Sequence, residues 1–251
     1  MITKELLLSA AKAKGLSNRE YIEKDYFQDL LLYNICKRTN MLAFKGGTAL
    51  YKLYSLPRFS EDLDFSMLGK PDPKAAIEAA VEASGGGIKS VKKTKGSMLI
   101  KAGFGGIITR YNTLRLDIST DNPVLSGFDV KSYVPGYADI NPFTIRALKP
   151  AELLAEKVHA LLAREKARDL YDSFFLLRFA PLDMGLIGAK LANFGMEFSH
   201  KALARRISAL ESLWVPELKN FVLSELPDFT AVKKFVLDKF VAVGRGKRNN
   251  A

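Results

Sequence analysis

The chain has 251 residues, 48% of them hydrophobic, and 38 Lys and Arg against 27 Asp and Glu leave a net charge of +11. That length supports a substantial core in one large domain or two small ones, and the composition excludes disordered, collagenous and disulfide-stapled classes. A single cysteine, Cys36, excludes an internal disulfide, a Cys-built zinc site and a CxxC redox pair; a reducing cytoplasm is the expected compartment, and the thiol reads as a packing residue.

In chain order, residues 3–13 and 18–38 read as helices, the second opened by a capping box of Ser17 and Glu20. The first is not expected to act as a signal peptide, because Lys12 and Lys14 stand where small cleavage-site residues belong. Residues 41–44 form a short buried strand that runs into Gly46-Gly47, and 48–54 return to helical spacing. Residues 63–67 are a second strand and 71–84 a helix closed by Gly85-Gly86-Gly87. From Ile88 to Ser119 the alternation predicts three antiparallel strands, and Phe143 to Leu148 one more. After Pro150 the chain is helical, with breaks near Pro181, Gly195, Pro216 and Pro227. A boundary near residue 149 divides a mixed α/β front domain, 1–149, from a helical domain, 150–251. Charged residues interrupt every apolar run, so no membrane span is expected.

Charge is clustered rather than spread. Seven cations (Lys89, Lys92, Lys93, Lys95, Lys101, Arg110, Arg115) precede the next acid, Asp117, and the chain ends in a basic tail from Gly244 onward. Both clusters suit a polyanionic partner such as RNA.

Chemistry concentrates in Phe44-Lys45-Gly46-Gly47-Thr48-Ala49-Leu50 and Arg58-Phe59-Ser60-Glu61-Asp62-Leu63-Asp64-Phe65. A Gly-Gly-Thr turn at a helix mouth exposes backbone N–H groups and a hydroxyl to an approaching phosphate, with Lys45 beside it. Asp62 and Asp64, two apart on a strand, project from one face, while Leu63 and Phe65 point to the core. Like-charged carboxylates so placed call for a cation, and hard oxygen ligands suit Mg²⁺ or Mn²⁺ on triphosphate oxygens. Asp117, in Leu-Arg-Leu-Asp-Ile, is a candidate third ligand or general base, since a buried strand tolerates an acid poorly unless it is paired or metal-bound. Arg58 and Ser60 flank the metal strand and are candidate phosphate contacts. Lys157 and Arg164, seven apart, share a helical face and can neutralise charge on a transferring group. His159 reads as a partly buried helix residue.

These motifs, together with Glu152-Leu-Leu-Ala-Glu156-Lys157 and Arg168-Asp169-Leu170-Tyr171-Asp172, resemble the AbiEii toxins of abortive-infection and type IV toxin–antitoxin systems, within the polymerase β-like nucleotidyltransferase superfamily. The matching stretch covers residues 42–180. The resemblance implies an α+β fold: a nucleotidyltransferase core with a small mixed or antiparallel sheet, followed by a helical C-terminal region. It implies that Thr48 grips the nucleotide phosphates, that Asp62 and Asp64, with Asp117 beside them, hold the metal, and that Lys157 meets the triphosphate. Asp169 and Asp172, three apart, would line the helical side of the site. The implied reaction is Mg²⁺-dependent transfer of NMP from an NTP to RNA, tRNA 3′ ends among the acceptors, restrained by a cognate antitoxin. The alternatives are protein nucleotidylation by the same site, or a non-catalytic nucleic-acid-binding protein that keeps the fold. Residues beyond 180 carry no motif and form a candidate acceptor-binding region.

Overall fold

The computed structural model describes residues 2–69 and 72–246. The chain divides into two compact units. The first holds residues 1–55, 59–124 and 128–148; the second holds 149–251 together with the short returns 56–58 and 125–127.

The first unit is a seven-stranded sheet with four helices. Helix α1 (Lys4–Ala13) is followed by α2 (Arg19–Cys36). The N-cap of α2 is Asn18, whose side chain accepts from the N–H groups of Glu20 and Tyr21, and not the predicted Ser17. An Asn carbonyl next to the first helical residue reaches two free donors at once, which one position earlier cannot do. Strand β1 (Leu42–Lys45) leads directly into α3 (Gly46–Tyr54), and β2 (Leu63–Met67) precedes α4 (Lys74–Ala83). Of the helix predicted from residue 71, Pro71 itself lies outside the described residues.

Strands β3 (Gly86–Lys93), β4 (Ser97–Gly105) and β5 (Tyr111–Ser119) form the predicted antiparallel set. Gly86 and Gly87 belong to β3 rather than to a loop, because the Phe104 ring of β4 lies where a Cβ of Gly86 would stand. Sequence reading missed β6 (Phe128–Tyr133), an edge strand paired antiparallel with β7 (Phe143–Leu148). The order is β3-β4-β5-β2-β1-β7-β6, with β2–β5 and β1–β7 parallel, so the sheet is mixed and larger than expected.

Alternation along the strands separates two faces. Phe44, Phe65, Ile100, Phe104, Leu116 and Ile118 are buried on one face, where α2 packs and Phe27 stacks on Phe104 at 4.6 Å. Lys101, Arg115, Asp64 and Asp117 stand on the other.

The second unit is helical: α5 (Pro150–Ala163), α6 (Ala167–Leu176), α7 (Met184–Ala192), α8 (His200–Ala209), α9 (Glu211–Leu218) and α10 (Phe229–Gly246). Pro150 occupies the first turn of α5, where its missing N–H costs nothing. Helix α5 packs against α6, α7 and α8, and Val158, Leu170, Ile187, Leu203 and Trp214 are among the buried residues. Pro216 lies inside α9, so the expected break falls at Leu210 instead. Residues 247–251 of the expected basic tail lie outside the described residues. Among those described, no helix is long and apolar enough to cross a membrane.

Candidate functional site in two parts

In the first unit the two predicted motifs meet. Strands β1 and β2 pair antiparallel with Lys45 opposite Asp64, and β2 and β5 pair parallel with Asp64 opposite Asp117. Lys45, Asp64 and Asp117 therefore stand abreast on the face away from α2. Gly46 begins α3 at φ +73°, and a Cβ there would overlap the Asp64 carboxylate. The glycine turn is thus what lets an acidic side chain lie against the mouth of a helix, whose free N–H groups favour negative charge.

Thr48 is buried, and its hydroxyl donates to the Asp62 carbonyl, bracing α3 against the entry to β2. The Asp62 carboxylate pairs with Arg115 Nη2 at 2.9 Å. Lys45 Nζ donates to Ser119 Oγ at 3.0 Å, two residues along β5 from Asp117. Burial pushes the Asp117 carboxyl above the ordinary aspartate value, and Arg115 and Lys45 pull only partly against it. Among the described residues no three His, Cys, Asp or Glu side chains converge into a closed metal cage. The donor chemistry of Asp64 and Asp117 nonetheless fits a hard divalent cation: two carboxylates abreast, one of them disfavoured as a bare anion.

The loop carrying Ser60 is held from below. Gln28, buried on α2, donates through Nε2 to the carbonyls of Ser60 and Glu61 at 2.8 and 2.9 Å, and Lys24 pairs with Glu61. Sequence reading missed Gln28. The only trace was an uncharged polar residue between Phe27 and Asp29 within a long helix, and such residues usually face solvent.

In the second unit, Lys157, Asp169, Asp172, Arg58 and Arg164 form one network. Lys157 Nζ lies 3.0 Å from Asp169 Oδ1 and 2.7 Å from Asp172 Oδ2. The Arg58 guanidinium forks onto Asp172, and Arg164 Nε donates to Asp169 Oδ2 at 2.8 Å. The expected shared face of Asp169 and Asp172 is present, and one ammonium spans it. Burial pushes Asp169 up, but Lys157 and Arg164 outweigh it and hold the carboxyl well below the usual range. Burial likewise opposes the Lys157 charge, and Asp172 and Asp169 override it, so its pKa lies above that of an ordinary lysine. Arg58, only 3% exposed, engages Asp172 rather than lying open to solvent. His159 stacks on Phe194 at 3.9 Å, and burial lowers its pKa. Burial pushes the Cys36 thiol up to about 12, which makes it a poor nucleophile.

Solved structures share this helix-backed mixed sheet and its helical companion. MenT4, a nucleotidyltransferase toxin of Mycobacterium tuberculosis, superposes with a TM-score of 0.66 at 20% identity, covering 96% of this chain and 89% of its own. JHP933 from Helicobacter pylori gives 0.62 at 21% identity, covering 93% and 95%. No curated protein matches. Residues 30–234 match the family described as nucleotidyl transferase AbiEii toxin, type IV toxin–antitoxin system, and the chain belongs to that family. The match extends beyond both ends of the stretch 42–180 that carried the resemblance.

Proposed function

We propose that this protein transfers NMP from an NTP to an RNA acceptor, tRNA 3′ ends among the candidates, as the toxin of a type IV toxin–antitoxin pair acting in the cytoplasm. One observation carries the reading: Asp64 lies abreast of Asp117 and directly against the Gly46-Gly47 turn at the start of α3. That juxtaposition puts hard carboxylate ligands and free helix N–H donors within one small region, as a metal-bound triphosphate requires.

In this reading Asp64 and Asp117 would hold Mg²⁺ or Mn²⁺, with Asp62, paired with Arg115, at the entry to the strand that carries Asp64. Such an ion would supply neutralisation of the charge on the departing pyrophosphate and a lowered pKa for the attacking hydroxyl. The amides of Gly46 and Gly47, with Lys45, receive phosphate oxygens, and Ser60 lies on the loop entering β2. Thr48 acts by fixing the Asp62 backbone. Residues 1–149 form the nucleotidyltransferase domain. Residues from 150 onward are the helical domain of this reading, with Lys157, Asp169 and Asp172 as its candidate functional residues and Arg58 ordered through Asp172. A cognate antitoxin restrains the enzyme.

The test is incubation with Mg²⁺, total RNA and each α-³²P-labelled NTP in turn, beside Asp64→Asn. Label in small RNA that disappears in the variant is the expected result. Label in protein would turn the reading to protein nucleotidylation. Folded protein without Mg²⁺-dependent NTP stabilisation would sink the catalytic reading and leave a nucleic-acid-binding protein.

A further inference from the structure

The open face of β3, β4 and β5 carries more than the acids. Along β5 the residues Tyr111, Thr113, Arg115 and Asp117 alternate with buried Asn112, Leu114, Leu116 and Ile118. They therefore form one line that ends at the proposed catalytic acids. Across the sheet, Arg115 is opposite Lys101, Lys101 is opposite Ser90, and Asp117 is opposite Leu99, which is opposite Lys92.

Tyr111 is 46% exposed, and its ring lies over the strand: a Cβ on Gly103 would overlap the phenol oxygen. Lys89 Nζ sits 5.3 Å from the ring centroid. The phenol end of Tyr111 and the Lys89 stem thus share the space above a glycine of the sheet, and nearly half of the tyrosine remains in water. Lys89, Lys92 and Lys101 are exposed and have no carboxylate within ion-pair distance among the described residues, whereas Lys93 is paired with Asp72 and Arg115 with Asp62.

We infer that this face is a track for the single-stranded 3′ end of the RNA acceptor. Lys89, Lys92, Lys101 and Arg115 take backbone phosphates, and Tyr111 stacks a base about 20 Å of strand away from Asp117. Charge complementarity selects the polyanion, and the exposed ring selects unpaired bases over a duplex, whose bases are already stacked. The inference rests on the nucleotidyltransferase reading for its direction, with the reactive 3′ hydroxyl at the acids.

The test is fluorescence anisotropy with a fluorescein-labelled 12-nucleotide single-stranded RNA, with thermal melts confirming that each variant is folded. Tyr111→Leu is expected to weaken binding at least about fivefold, following the usual worth of one base–aromatic stack. Tyr111→Phe, which keeps the ring, restores it. Lys89→Ala with Lys101→Ala is expected to lower the slope of log K against log salt by about 1.4, two phosphate contacts on a single strand. Absence of RNA binding by the unaltered protein, or affinity and salt slope unmoved by these variants, overturns the track. That second outcome is also what a face serving an acidic protein partner would give. A Mg²⁺–NTP thermal shift on the same unaltered protein separates the two ideas: its absence fails the transferase and leaves the RNA-binding result standing.

Discussion

Arg58 and Asp172, 114 residues apart in sequence, are joined by a fork in which Nε and Nη2 donate to the carboxylate at 2.9–3.0 Å. Both side chains are buried. The pairing places residues 56–58 with the helical unit, where the N–H of Leu223 also donates to the carbonyl of Pro57 at 2.9 Å. Arg58→Ala leaves a buried carboxylate with Lys157 as its remaining charged partner and is expected to cost about 3–5 kcal/mol. Arg58→Lys keeps the charge without the planar fork and should cost less. Urea denaturation of both variants measures this, and a loss under about 1 kcal/mol for the alanine would contradict a buried-pair role.

Asp169 should carry part of the acid sensitivity, beside buried Asp25, whose pKa Lys52 and Lys14 likewise hold down. The folded pKa of Asp169 lies below the unfolded value of about 3.9, so its contribution to stability is full above roughly pH 4 and is lost as pH falls toward the folded pKa. Lys157 has the opposite sign: its pKa is raised, so its contribution is full below about pH 10 and is lost only as pH rises through the folded value. Asp169→Asn is therefore expected to lower stability at neutral pH and to flatten the loss below about pH 4, as followed by melting temperature across a pH series. An unchanged acid limb would place the sensitivity elsewhere.

Gly46→Ala meets two obstacles at once. The backbone is at φ +73°, and the new methyl would overlap the Asp64 carboxylate. Strain of about 1 kcal/mol adds to overpacking of about 1–3 kcal/mol. If Asp64 moves aside to relieve the overlap, the pairing of turn and acid is broken. The expected outcome is a destabilised protein with no Mg²⁺-dependent NTP stabilisation. Gly85→Ala, also at positive φ but away from the acids, is the control for backbone strain alone.

Glu23 on α2 governs the loop between β4 and β5. Its carboxylate accepts from the N–H groups of Ile107, Ile108 and Thr109 and from the Thr109 hydroxyl, and these bonds outweigh burial to hold its pKa below the ordinary glutamate value. Glu23→Gln weakens charge-assisted bonds to three consecutive amides. Faster hydrogen exchange and protease cutting at residues 106–110 are expected, with the rest of the sheet protected. Uniform loss of protection would mean that Glu23 supports the whole unit.

Much of the front unit was legible because its signals are local. Alternation marked β2 and β5, a glycine pair marked the β1–α3 turn, and Pro150 marked the start of α5. The edge strand β6 was not legible, since it is short and its alternation is inverted, with Phe128 and Val130 exposed and Asp129 and Lys131 on the more covered side. Glu23, Asp25, Gln28 and Asp29 on α2 were equally hidden. Asp25 and Asp29 are buried against Lys52 at 2.6 and 2.8 Å, with Tyr137 and Tyr133 donating to them, and those partners come from distant segments.

The sequence alone determined residue types and short-range order: two acids on one strand face, glycines at a helix mouth, a basic block after Gly87, and a motif set specific enough to name the family. Only tertiary structure decided which charges meet. Strand register set Asp64 beside Asp117 and aligned Arg115 with Lys101, while packing closed Arg58, Lys157, Asp169 and Asp172 into one network. The physical reason is range. Backbone preferences act over a few residues, whereas ion pairs and sheet register join segments whose separation along the chain leaves no periodic trace.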